Sequence, residues 1–153
     1  MLTGVDISPD MIRIAVRNAK EYRLEQRTSY LLSSGSRIPF EDRIFDAVFT
    51  NGSLHEWAEP KSTFNEIWRV LKEGGGYFIS DLRRDMPFVA HWFLRLNTRP
   101  KVRRVGLESS IGASYTLEEL RGLVKGTKIE GCKIGPMAFG AILTGKKEDR
   151  LAL

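Results

Sequence analysis

The residues able to do chemistry sit at a few points, each just after an apolar run. Asp6 closes the first of these runs. An acidic side chain at the end of an early strand can accept both hydroxyls of a ribose, provided that the carboxylate is ionised, fixed in place and uncontested. The same Asp6 can instead help to cap a helix that opens at Ser8. Ser34 and Gly35 follow the second run. Their small size lets a flat ring approach the backbone and Ser34 can exchange one hydrogen bond, although an ordinary serine-rich turn reads the same way. Asn51, Gly52 and Ser53 follow the third run, where Asn51 can hold a polar ligand end and Gly52 permits close approach. His55 comes next, in Leu54-His55-Glu56-Trp57. Histidine changes charge near neutral pH and is the usual proton acceptor in catalysis. A lone histidine without an identified carboxylate partner is more often structural. Asp81-Leu82-Arg83-Arg84 closes the fourth run and reads as a charged turn, at least for the arginines.

Several reaction classes lose support. No G-x-G-x-x-G, G-K-[ST] or G-x-S-x-G occurs, which removes the usual grounds for nucleotide hydrolysis and serine-hydrolase chemistry. Gly74-Gly75-Gly76 enters a strand rather than opening a helix, so it is a turn and not a phosphate loop. Cys132 is the single cysteine and the two histidines, His55 and His91, are far apart, so no disulfide and no metal site are expected. A cytoplasmic location is the default for such a chain. No apolar run approaches a membrane span, the opening MLTGVDIS lacks the regions of a signal peptide, and no membrane partner is expected. The net charge of +5 gathers in Arg83, Arg84, Arg95, Arg99, Lys101, Arg103, Arg104, Lys146 and Lys147. A solvated surface explains it more simply than nucleic acid, because no aromatic-basic interleaving is evident.

The elements that must position these residues can be read from periodicity. With 42% hydrophobic and 28% charged residues, the 153-residue chain is long enough for one globular domain. Leu2 to Ile7 reads as a strand. Ser8 then caps a helix with Pro9 at its first position, and Ile12, Ala15, Val16 and Ala19 repeat at helical spacing. Thr28 to Leu32 and Phe45 to Thr50 read as strands, the latter nearly all apolar as in a buried parallel sheet. Ser33 to Arg43 between them is a loop, with or without a short helix. Pro60 to Lys72 is a helix ended by the glycines, and Tyr77 to Ser80 is a fourth strand. Pro87 to Asn97 is helical. Thr98 to Ser114 is basic and aperiodic and is the expected mobile lid. Thr116-Leu117-Glu118-Glu119 is a capping box opening a helix through Val124. Strands around Cys132 to Ile134 and Phe139 to Thr144 form an antiparallel hairpin. The order predicts a doubly wound α/β domain with one mostly parallel six-stranded sheet and an antiparallel last strand.

Gly4-Val5-Asp6-Ile7-Ser8-Pro9-Asp10-Met11, Ile38-Pro39-Phe40, Phe45-Asp46-Ala47-Val48 and above all Glu66-Ile67-Trp68-Arg69-Val70-Leu71-Lys72-Glu73-Gly74-Gly75-Gly76 with Ile79-Ser80-Asp81 resemble the class I S-adenosylmethionine-dependent methyltransferases. Tyr115-Thr116-Leu117-Glu118-Glu119-Leu120 fits the late helix of the same family. The likeness runs over nearly all of the chain and is nearest to the small-molecule branch of ubiquinone and menaquinone biosynthesis. It implies S-adenosylmethionine as cofactor, a small-molecule methyl acceptor and a single domain over residues 1–153. It also implies that Asp6 holds the ribose hydroxyls, Ile7 packs on the adenine, Asn51 to Ser53 border the methionine part, and Phe88 to Ser114 shapes the acceptor pocket. Two positions depart from the family. Ser34 stands where an aspartate usually meets the adenine amino group. The family's first strand and glycine-rich loop lie upstream of Asp6, and only five residues precede Asp6 here. The slot belongs between the Leu2–Ile7 and Phe45–Thr50 strands. Unpaired central edges are costly, so direct pairing of the two flanking strands, a partner chain such as a second copy, or a longer protein is expected to fill it. Weak or absent cofactor binding follows, and a non-catalytic binding or assembly module is the alternative function. A nucleic-acid methyltransferase is a third reading, resting only on Arg95 to Arg104.

Overall fold

In the computed structural model, which describes residues 1–148, six strands and five α-helices follow one another, all but the fourth helix as the chain pattern predicts. Residues 149–153 of the expected single domain lie outside the described residues. Strand β1 (Leu2–Asp6) leads into helix α1 (Pro9–Glu21). The Ser8 side chain accepts from the Met11 N–H at 3.3 Å, which satisfies one of the free donors of the first turn. Strand β2 (Thr28–Leu32) returns parallel to β1, with Asp6 opposite Leu32. The segment to β3 (Phe45–Asn51) is loop and turn without a helix.

Helix α2 (Pro60–Val70) buries Thr63, Phe64, Ile67 and Val70, a single face at helical spacing. It ends two residues earlier than predicted, because strand β4 (Leu71–Leu82) begins before the glycines. The β3–β4 register jumps from Phe45 opposite Leu71 to Ala47 opposite Gly76, so the glycine run forms a bulge within the ladder. Gly74 adopts φ +75°, and a Cβ on Gly75 would lie 2.8 Å from the Lys72 carbonyl oxygen. Side chains are excluded from this bulge by backbone alone.

Helix α3 (Phe88–Asn97) is followed by α4 (Arg103–Ala113), which occupies most of the segment expected to be an aperiodic lid. Sequence pattern fails there because Ile111 is the only residue that α4 buries. The helix is held by polar contacts instead. The Arg84 guanidinium donates to the Ser114 carbonyl at 2.8 Å and His91 Nε2 meets Glu108 at 2.9 Å. Helix α5 (Leu117–Leu123) starts in the predicted capping box, with Thr116 and Glu119 each bonding the other's backbone N–H. Strands β5 (Lys133–Pro136) and β6 (Gly140–Lys146) form the antiparallel hairpin, and β6 pairs with β4.

The six strands form two hydrogen-bonded sheets rather than the one predicted, β1-β2 and β3-β4-β6-β5. Direct pairing of β1 with β3 does not occur. A slot for one strand would set its neighbours about 10 Å apart, twice the ladder spacing and far beyond hydrogen-bond reach. In the doubly wound fold that the element order predicts, β1 and β3 flank the point where the strand order reverses. The core lies on the four-stranded side, around Phe64, Leu71, Ile79, Leu120 and Leu143, all nearly inaccessible. Strand β3 leaves Phe49 68% exposed, because no neighbouring element packs over it.

Candidate functional site

In an open α/β sheet, ligands bind beyond the carboxyl ends of the strands where the order reverses. Asp6 ends β1 on one side of that point, and Asn51 ends β3 on the other. The Asp6 carboxylate receives the Ser8 backbone N–H on Oδ1 at 2.8 Å. Both readings of Asp6 are therefore compatible: it steadies the start of α1 with one oxygen, while Oδ2 has no hydrogen bond among the described residues. A carboxylate pinned by one oxygen and open at the other fits the hydroxyl pair of a ribose. The adjacent Ile7 is 74% exposed, an apolar surface that a flat ring can cover.

The remaining predicted residues are more occupied by local structure. Ser34 Oγ accepts from the Ser36 N–H at 3.2 Å and lies 2.9 Å from Ser36 Oγ. A Cβ on Gly35 would lie 3.1 Å from Thr63 Cγ2, so the close neighbour that requires a glycine there is α2. Asn51 Oδ1 accepts from Ser80 Oγ at 2.7 Å, and Ser53 Oγ lies 2.5 Å from Thr50 Oγ1. Gly52 takes φ +70°, donates its N–H to the Ser80 carbonyl at 2.8 Å, and has open space where a Cβ would stand. The loop is thus fixed to β4 from both sides and presents a bare backbone outward.

His55 lies on a 3₁₀ turn, Leu54–Glu56, anchored by the fully buried Leu54. Its carboxylate partner, absent from the sequence reading, is Asp81. His55 Nδ1 lies 2.9 Å from both Asp81 oxygens, and the His55 backbone N–H donates to Oδ2 at 2.7 Å. The Leu82 N–H donates to Oδ1 at 2.7 Å. The two side chains are only 7% and 5% exposed. An acceptor-only carboxylate on Nδ1 fixes the ring proton there and leaves Nε2 as the lone-pair nitrogen, with Glu56 at 3.8 Å. The signal that could have found this pair is the parallel pairing of β3 with β4. Asn51 stands opposite Ser80, so the turn that follows β3 meets the last residues of β4 in space.

The run that most strongly marks the resemblance does structural work. Arg69 donates to the Ile38 and Phe40 carbonyls and pairs with Glu66 and Asp42, while Glu66 Oε2 accepts the Ile38 N–H at 2.8 Å. These contacts clamp the loop before β3 onto α2. The Arg69 hydrogen bond, aided by the Ile38 N–H and opposed by partial burial, holds the Glu66 carboxyl below its usual range. Among the described residues no group of three or more His, Cys, Asp or Glu is placed to hold a metal ion, and no helix is long and apolar enough to cross a membrane.

The profile of a methyltransferase domain matches residues 1–79. Among curated proteins, the demethylmenaquinone methyltransferase of Tropheryma whipplei is 28% identical, covering 92% of this chain and 62% of its own length. That of Porphyromonas gingivalis is 33% identical over 57% of this chain and 36% of its own. The chain thus spans from about a third to three-fifths of the length of these relatives. Among solved structures, a putative S-adenosyl-L-methionine-dependent methyltransferase from Methanococcus maripaludis superposes with a TM-score of 0.71 over 99% of this chain and 68% of that one, at 22% identity. A SAM-dependent methyltransferase from Aquifex aeolicus gives 0.67 over 95% and 68%, at 17% identity. The profile takes in β1, the β3 end and the Glu66–Arg69 clamp, 79 of 153 residues, and the superpositions carry the same fold through the hairpin: the chain belongs to the methyltransferase domain family.

Proposed function

We propose that the chain is the larger part of a catalytic domain that transfers the methyl group of S-adenosylmethionine to a small-molecule acceptor. The observation that carries this reading is the buried His55–Asp81 pair, with Asp6 at the end of β1, in a chain of this family. When bound, the cofactor's sulfonium supplies a methyl carbon open to displacement. Asp6 would accept the ribose hydroxyls through its free oxygen, Ile7 would cover one face of the adenine, and the bare backbone at Gly52 would border the methionine part. Ser34, neutral and engaged with Ser36, gives the adenine amino group a weaker partner than a carboxylate does. Asp81 is a positioning residue that keeps the His55 proton on Nδ1. His55 Nε2 would then take the proton that the acceptor gives up as the methyl group is transferred to it. The relatives named above favour an acceptor of the demethylmenaquinone kind.

The test is single-turnover methyl transfer by the wild-type chain and by His55→Ala. Turnover falls by about a hundredfold or more, the usual worth of a positioned base, with cofactor affinity little changed. Unchanged turnover removes His55 from the mechanism and leaves alignment as the main contribution. The unpaired edges of β1 and β3 favour a second reading, a binding or assembly module without turnover. No methyl transfer to any quinol or phenol acceptor, alongside saturable cofactor binding, supports that second reading.

A further inference from the structure

Helix α3 carries an exposed apolar surface apart from Asp6, Gly52, His55 and Asp81. Its sequence, FVAHWFLRLN, is mostly apolar, yet it buries no residue fully. At 3.6 residues per turn, Phe88, Val89, Trp92 and Leu96 fall within an arc of about 100°. All four are exposed, Phe88 at 80%. The opposite side, Ala90, His91 and Leu94, is half-buried and faces the protein, and Phe93 stacks on Phe139 with ring centroids 5.6 Å apart. The apolar stripe therefore points outward, the reverse of an ordinary surface helix. Val102 and Val105, 77% and 76% exposed, extend it at the start of α4.

The charge around this stripe has one sign. From Met86 to Leu107 the chain holds five Arg or Lys and no Asp or Glu. Arg99, Lys101 and Arg103 make no ion pair among the described residues. Arg95 lies at the edge of the stripe, 3.9 Å from Glu108. Apolar and aromatic side chains bordered by free basic ones are the composition of a helix that lies in a membrane interface. A second copy of this chain is a poorer occupant, because face-to-face pairing brings the same positive charges together. Nucleic acid has no use for an aliphatic stripe. The absence of a spanning helix does not bear on a surface contact of this kind.

We propose that α3 and the segment leading into α4 dock on the surface of an anionic lipid membrane. The stripe of Phe88, Val89, Trp92 and Leu96 enters the interface, and Arg95, Arg99, Lys101 and Arg103 meet the headgroups. The test is cosedimentation of the chain with phosphatidylcholine vesicles, with and without added phosphatidylglycerol, at low and high salt. The chain binds the anionic vesicles, and salt weakens binding. The triple change Arg99→Gln, Lys101→Gln, Arg103→Gln lowers partitioning by roughly a hundredfold at low salt. Phe88→Ser with Trp92→Ser lowers it by at least about tenfold. These side chains are exposed, so both variants keep the wild-type circular dichroism. Trp92→Phe retains binding but loses the quenching of fluorescence by brominated lipid that the wild type shows. Three results overturn the proposal. One is no vesicle binding by the wild type. Another is binding that ignores both lipid charge and the variants. The third is a concentration-dependent dimer, or RNA retention, that the variants abolish while vesicles bind nothing.

Discussion

The β1–α1–β2 unit and the four-stranded sheet use similar elements but hold them differently. The small unit fully buries one apolar side chain, Ala19. The four-stranded sheet buries Phe64, Leu71, Ile79 and Leu143 between helix and strand, and closes over them with α5 and the hairpin. No ladder joins the two sheets. The small unit carries the free oxygen of Asp6, and the large one carries the His55–Asp81 pair. On the proposed reading, binding chemistry rests on a weakly packed unit, while proton chemistry rests on a well-packed one. Packing density, more than strand count, decides which part of the site keeps its geometry alone.

Substitutions in the two regions sharpen the contrast. Phe64→Ala opens a cavity in the large core and costs about 3–5 kcal/mol in urea denaturation, whereas Ile12→Ala in α1, half-buried, costs about 1 kcal/mol or less. Equal costs would show the small unit to be as tightly packed as the large one. Hydrogen exchange on the same samples gives amides of β1 and β2 exchanging well before those of β4 and β6.

A smaller effect comes from the clamp between α2 and the loop that leads from the small unit into β3. Glu66→Gln costs about 1–3 kcal/mol near neutral pH, because Arg69 loses one of its two charged acceptors. The folded Glu66 carboxyl lies below its unfolded value of about 4.3, so its contribution is full above that value and is lost as pH falls through the folded one. Urea midpoints of wild type and variant therefore converge as pH drops below about 4. A gap that stays constant down to pH 3, far below the unfolded value of about 4.3, would contradict the ion pair as its cause. The smallest effect is Thr116→Ala, which removes one half of the capping box and costs about 1 kcal/mol, confined to the large unit. Faster exchange of β1 amides in that variant would show the two units to be one cooperative body.

Where the sequence was legible, one local rule governed each element. Ser8-Pro9 opened α1, the capping box opened α5, and the apolar spacing of Phe64 and Ile67 marked α2. Legibility failed where the controlling contact is distant in sequence. Helix α4 has almost no buried face and is held by Arg84 and His91 from other segments. The glycine run reads as a turn, and the bulge it makes depends on the Asp46 carbonyl of β3. At the site, Asp6, Gly52 and His55 were visible as residue types at strand ends. Asp81, 26 residues from His55, became its partner only through the parallel register of β3 and β4. Ser34 and Gly35 were visible too, but their neighbours Ser36 and Thr63 give them local duties that composition does not reveal.

Titration calorimetry with S-adenosylmethionine and S-adenosylhomocysteine tests most directly whether the two units form one crevice with an open middle wall. Wild type, Asp6→Ala and His55→Ala are compared. The predicted result is one-to-one binding of low affinity, with a dissociation constant of roughly 100 μM or weaker. Asp6→Ala abolishes that binding and His55→Ala leaves it within about twofold. Binding tighter than about 1 μM, unchanged by Asp6→Ala, would contradict the account, because the cofactor would then be held without the β1 carboxylate.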